Sequence, residues 1–136
     1  MIEDKFSGEL HDKTFGIWGL LPKTEIFDFE SSPTINIVNR LYEELVKIKV
    51  YDPKNNEKFL EKKLDMDIEY CNSKYDAIKD VDALIMLTGL DEFKNIDLRE
   101  MKKRMGRKVI FDMRNVIPDN IQKEGFKVYK INVETI

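Results

Sequence analysis

The stretch Thr14-Phe15-Gly16-Ile17-Trp18-Gly19-Leu20-Leu21-Pro22-Lys23 decides how this chain folds. Its first part, Thr14–Gly19, is a short apolar run holding Phe15, Ile17 and Trp18 and bounded by Gly19, which predicts a buried strand. Beyond the loop that follows, Ser31-Ser32-Pro33 marks a helix start. Ser32 can cap it, and Pro33 suits the first helical position, where no N–H is needed. Ile35, Val38, Leu41, Tyr42 and Leu45 then recur at helical spacing, predicting one apolar stripe on a helix of roughly four turns.

The same alternation continues outward. A second strand is expected at Ile48–Tyr51, ended by Asp52-Pro53, because proline stops a ladder. Residues 55–64 read as an amphipathic helix with Phe59, Leu60 and Leu64 inward, and Ile68–Cys71 as a short third strand. Ser73 can cap a brief helix through Ile78. Ala83-Leu84-Ile85-Met86-Leu87 is a continuous apolar run, typical of a central parallel strand. A helical region with Phe93, Ile96, Leu98, Met101 and Met105 follows, broken near Asn95. Val109–Phe111 is a buried strand, Asp119–Glu124 a short helix closed by Gly125, and Val128–Ile131 a last strand.

Strands alternating with helices imply right-handed crossovers. The expected fold is therefore α/β, Rossmann-like and doubly wound, with a mostly parallel sheet of about six strands and helices on both faces. With 136 residues and neither an internal repeat nor a linker, residues 13–136 are expected to form one domain. Residues 1–12 read as a lead-in, or a connection from something upstream.

Composition narrows the function. The chain is 42% hydrophobic and 36% charged, a globular balance, and its formal net charge of −3 offers no electrostatic reason for nucleic acid or an anionic membrane as partner. The apolar runs are strand-sized, and the opening residues lack a basic start followed by an apolar stretch. No membrane span and no signal peptide are expected. One cysteine, Cys71, permits no internal disulfide and fits a reducing, cytoplasmic setting. With one histidine, His11, a Cys/His zinc site cannot be assembled and a Ser-His or Cys-His couple is not expected.

In open parallel sheets, ligands bind beyond the carboxyl ends of the strands, where the strand order reverses. That rule nominates Leu20–Glu30, Thr88–Asp91 and Asp112–Asn115. These loops hold the cations Lys23 and Arg114. A lysine beside a helix N-terminus suits a phosphate, because the dipole and free N–H groups add to its charge. Arg114 can offer a bidentate fork to phosphate or carboxylate, or pair with nearby Asp112. The first loop lacks Gly-x-Gly-x-x-Gly, since Gly16 and Gly19 are followed by Leu20-Leu21-Pro22. A dinucleotide site is therefore not expected, and Asp52 is expected to make a turn with Pro53. Cys71, at a strand end, reads as a small core residue rather than a nucleophile.

The run Lys13–Lys23, then Asp28, Ser32-Pro33 and Val50–Pro53, resembles the C-terminal domain of the UDP-glucose/GDP-mannose dehydrogenases. So do Asp82–Thr88, Glu92-Phe93 and Val109–Asn115, in order and across nearly the whole chain. The resemblance implies a domain that binds the UDP (or GDP) part of a nucleotide sugar. It implies that Lys23 and Arg114 contact that ligand and that the backbone of Leu21 and Pro22 lines the cleft. It gives Cys71 no catalytic role, and no catalytic residue is expected in this chain. No cofactor is expected to bind here; NAD belongs to the N-terminal half of such enzymes, which oxidise a sugar alcohol to a carboxylate. The expected partners are UDP or a UDP-sugar and such an NAD-binding half. The chain alone is expected to be inactive.

Four positions depart from the family pattern. Pro22 stands before the lysine where phenylalanine is usual, Glu30 where arginine is usual, Leu90 for a tryptophan, and Met113 for the glycine of Asp-Gly-Arg. If that glycine serves positive φ or close backbone approach, methionine is expected to strain the loop or obstruct the ligand. Glu30, Met113 and Pro22 support a second reading, a degenerate relative serving as an interaction or regulatory module. A self-sufficient α/β enzyme using Asp and Glu residues ranks last, since no paired acid-base constellation stands out.

Overall fold

The structure is a computed structural model that describes residues 10–20, 33–53, 61, 67–87, 91–115 and 117–130. Its strands are β1 (Thr14–Trp18), β2 (Lys47–Tyr51), β3 (Glu69–Tyr70), β4 (Ala83–Met86), β5 (Val109–Asp112) and β6 (Lys127–Lys130). They form one six-stranded sheet in the order β3-β2-β1-β4-β5-β6. Every neighbouring pair is parallel. The doubly wound expectation holds. The chain runs outward from β1 to β3, returns past β1 to start β4, and runs outward again to β6. Order therefore reverses between β1 and β4.

Both faces of the sheet are covered, which explains why β4 and β5 read as unbroken apolar runs. Side chains alternate across the sheet with period two. Phe15, Ile17, Ile48, Val50, Ile85 and Phe111 face one layer, where α1 (Pro33–Glu43) adds Ile35, Val38 and Leu41. Trp18, Leu84, Met86 and Ile110 face the other layer. There the 3-10 helices Asp76–Ile78 and Asp91–Phe93, α2 (Leu98–Arg104) and the 3-10 helix Asp119–Glu124 supply Ile78, Phe93, Met101 and Ile121. Leu10, at the end of the lead-in, is buried in the first layer.

α1 is shorter than its apolar spacing suggests: eleven residues rather than roughly four turns. Its end is a Schellman turn. The N–H of Leu45 bonds the carbonyl of Tyr42, that of Val46 bonds Leu41 (both 3.1 Å), and Leu45 has φ 64. Leu45 is consequently 71% exposed and Tyr42 38%, so neither extends the inward stripe, while Val46 closes onto the core with Leu41. The helical region after β4 is interrupted as expected. It divides into a 3-10 turn and α2, whose N-cap Asp97 accepts N–H bonds from Arg99 and Glu100. Ser73 likewise caps the turn at Asp76, accepting its N–H at 3.1 Å. The helix expected over 55–64 lies almost wholly outside the described residues.

Gly16 is required by packing. A Cβ on it would lie 2.3 Å from the carbonyl oxygen of Ala77, because the Asp76–Ile78 turn rests directly on β1. The glycine, inside β1, lets backbone meet backbone.

Candidate functional site

The carboxyl ends of β1 and β4 flank the point where strand order reverses, the position at which open α/β sheets bind ligands, and the end of β5 lies next to that of β4. β1 ends in Trp18, and Gly19 then turns the chain at φ 75. The N–H of Gly19 donates to the Tyr51 carbonyl at 2.8 Å. Leu20 is buried, and its N–H donates to Asp52 Oδ2 at 3.1 Å. The Asp52 carboxylate thus ties the loop after β1 to the end of β2, a role beyond the expected turn with Pro53. From there the chain enters residues 21–30. Lys23, Leu21, Pro22 and Glu30 lie outside the described residues, as does Leu90.

The loop after β5 is described in detail. Asp112, the last residue of β5, is 1% exposed. Its Oδ1 accepts the N–H of Arg114 at 3.1 Å and its Oδ2 accepts the N–H of Ile117 at 2.8 Å. A buried carboxylate thereby organises the turn around it, satisfying N–H groups that a tight loop would leave open. Arg114 is exposed, and its side chain crosses toward β4, where Nε donates to the Leu87 carbonyl at 2.9 Å. The alternative that its guanidinium pairs with Asp112 does not hold: the acid takes the Arg114 backbone N–H instead. One edge of the guanidinium is anchored, and among the described residues no carboxylate pairs with it. An arginine held this way can present its remaining N–H groups to an anion.

Met113 departs from the expectation of strain. The non-glycine residues with positive φ among those described are Asp12, Leu45, Asp80 and Asn115, so the left-handed position of this loop is Asn115 (φ 56). Met113 is 4% exposed and its side chain packs in the α1 layer of the core. Its backbone needs no left-handed conformation, and its side chain is part of the core.

A second cluster closes the carboxyl end over β1 and β2. The indole of Trp18 lies against Phe93, ring centroids 5.4 Å apart and nearly parallel, and its Nε1–H donates to the Lys74 carbonyl at 2.8 Å. Lys74 Nζ donates to the carbonyls of Glu92 and Asn95 at 2.7 and 2.8 Å. Tyr51 donates its hydroxyl proton to Glu92 Oε1 at 2.8 Å. Burial, then that hydrogen bond, push the Tyr51 phenol up to about 12. This network fixes the segment following β4 against β2, and periodicity alone gave no sign of it. Cys71, expected as a small core residue, is half-buried and packs against the second layer; burial first, then the Glu69 carboxylate, push its thiol up to about 11, against the opposing pull of Lys49. Among the described residues there is no cluster of potential metal ligands and no helix long and apolar enough to cross a membrane.

Comparison with known proteins gives the site its family setting. Residues 16–119 match the model of the UDP-glucose/GDP-mannose dehydrogenase family, UDP binding domain. The chain is 34% identical over 128 residues to a UDP-glucose 6-dehydrogenase of Rickettsia conorii, covering 91% of this chain and 29% of that one. It is 32% identical over 118 residues to a UDP-N-acetyl-D-mannosamine dehydrogenase of Methanococcus aeolicus, covering 83% of this chain and 25% of that one. The fold is shared with a UDP-glucose dehydrogenase of Pyrobaculum islandicum, with TM-score 0.70 and 21% identity over 97% of this chain and 28% of that one. The chain thus spans less than a third of the length of these relatives.

Proposed function

Because the chain belongs to the UDP-glucose/GDP-mannose dehydrogenase family as its UDP binding domain, we propose that it binds the UDP part of a UDP-sugar in the crevice beyond β1 and β4. Arg114 and Lys23 are the cations assigned to the ligand, with the backbone of Leu21 and Pro22 as its wall. The observation that carries this reading is Arg114, anchored through Nε to the Leu87 carbonyl with no carboxylate partner among the described residues. A guanidinium fixed on one edge at a topological switch point suits a diphosphate.

In this reading the chain is one part of a nucleotide-sugar 6-dehydrogenase. NAD and the chemistry of oxidation belong to a separate half, and the chain by itself turns nothing over. Its setting is reducing and cytoplasmic, in keeping with a single cysteine. The degenerate, non-binding reading loses one of its grounds, since Met113 lies in the core.

Calorimetric titration with UDP tests the proposal on the natural chain and on Arg114→Ala and Lys23→Ala. A hydrogen bond to a charged group contributes about 1.5–3 kcal/mol, so each variant is expected to bind UDP roughly ten- to a hundredfold more weakly. A folded natural chain that releases no heat at millimolar UDP, or variants that bind as well as it does, would overturn the assignment.

A further inference from the structure

We infer that Lys130 is a positioning residue for Arg114: its ammonium holds the loop after β5 in the form that aims the arginine at the crevice. This inference rests on the reading of Arg114 as a ligand-binding cation. Lys130 ends β6, and the parallel register of β5 with β6 sets it directly beside Asp112. Its Nζ donates to the carbonyl of Ile117 at 2.8 Å and to Asn115 Oδ1 at 2.7 Å, and lies 3.9 Å from Asp112 Oδ2. Asn115 and Ile117 belong to the loop that carries Arg114, and Asp112 ends the strand that leads into it.

The arrangement is a closed bracket. Asp112 draws the N–H groups of Arg114 and Ile117 inward from one side. Lys130 draws the Ile117 carbonyl and the Asn115 side chain from the other, over a residue held at φ 56. Its ammonium also faces a carboxylate that is buried with 1% exposure, where a nearby cation offsets the loss of water. Arg114 lies between Asp112 and Ile117, the residues that these bonds fix, so the position of its guanidinium depends on both. Neither composition nor periodicity marks Lys130, because the bracket exists only once β6 has paired with β5.

Two measurements on the full chain decide the matter. With arginine labelled by nitrogen-15, the Arg114 Nε–H is identified as the resonance lost in Arg114→Lys. It is expected to exchange slowly in the natural chain and in Lys130→Arg, and to exchange like an exposed arginine in Lys130→Met. UDP titration is expected to show roughly tenfold weaker binding for Lys130→Met, restored by Lys130→Arg, with no added loss when Lys130→Met is placed on Arg114→Ala. An unchanged Nε–H in Lys130→Met overturns the inference. So does a loss that adds fully to that of Arg114→Ala, which would make Lys130 a ligand contact in its own right. Should Lys130→Met fail to fold, Asn115→Gly keeps the left-handed backbone and removes one arm of the bracket, and the same acceleration of exchange is expected. If the natural chain binds no UDP, the ligand reading fails, while the exchange measurement still decides whether Lys130 holds Arg114.

Discussion

At the scale of single residues, Met113 and Arg114 are chain neighbours with opposite fates. The strand alternation that sends Phe111 into the α1 layer sends Met113 there too, leaving Arg114 exposed beyond the sheet. A glycine at 113 would therefore open a cavity in the core and add backbone freedom, without widening the ligand cleft. Met113→Gly is expected to destabilise the fold by roughly 3–5 kcal/mol, seen as a lower urea midpoint, with UDP affinity of the folded protein unchanged. Tighter UDP binding by this variant would show that the side chain does reach the site.

At the scale of elements, two backbone positions carry opposite predictions. Gly16 lies under the Asp76–Ile78 turn, and a Cβ there meets the Ala77 carbonyl oxygen at 2.3 Å and its carbon at 3.2 Å. Gly16→Ala must push that turn off β1, at a cost of roughly 1–3 kcal/mol. Trp18, the only tryptophan, bonds the Lys74 carbonyl beside the same turn, so its fluorescence should shift with the loss of stability. A variant as stable as the parent with unchanged emission would contradict the contact. Leu45 is the converse case, a β-methylene side chain in the left-handed position of a Schellman turn where glycine is usual. Because the side chain is largely exposed, little packing is lost on removing it, and Leu45→Gly is expected to stabilise by about 1 kcal/mol in urea melts. A destabilised variant would mean that the exposed leucine contributes packing beyond its helix.

These two positions also show what the amino-acid order reveals and what it hides. The strands were legible because burial on both faces leaves unbroken apolar runs, as in Ala83–Leu87 and Val109–Phe111. The break near Asn95 was expected from the sequence; its cause, the capping of α2 by Asp97, is seen in the structure. The end of α1 was not, since a leucine occupies the position that glycine normally signals, and the apolar spacing runs on through it. In the site, Arg114 was visible as a cation just past a strand. Its anchor on the Leu87 carbonyl and the bracket from Lys130 were not, because strand pairing creates them between residues 27 and 13 positions apart.

At the scale of the whole molecule, the proposed function sets an anionic ligand against a chain of formal net charge −3. Binding must then depend on local cations outweighing both the general field and the acidic residues Glu25, Asp28 and Glu30, which follow β1 in the sequence. Two unit charges at 4 Å interact by about 4 kcal/mol at an effective dielectric of about 20, and the Debye length at 0.1 M salt is about 10 Å. A charge reversal beside the diphosphate should therefore be felt strongly, and one across the domain hardly at all. Glu30→Arg is expected to tighten UDP binding about tenfold at low salt, with the gain shrinking as salt is added. Glu44→Arg makes the same change in net charge at an exposed residue before the amino end of β2, away from the carboxyl ends that form the crevice, and should alter affinity by less than about twofold. Equal gains from the two variants would assign the effect to the overall field, and no gain from Glu30→Arg would remove the acidic segment from the phosphate side of the crevice.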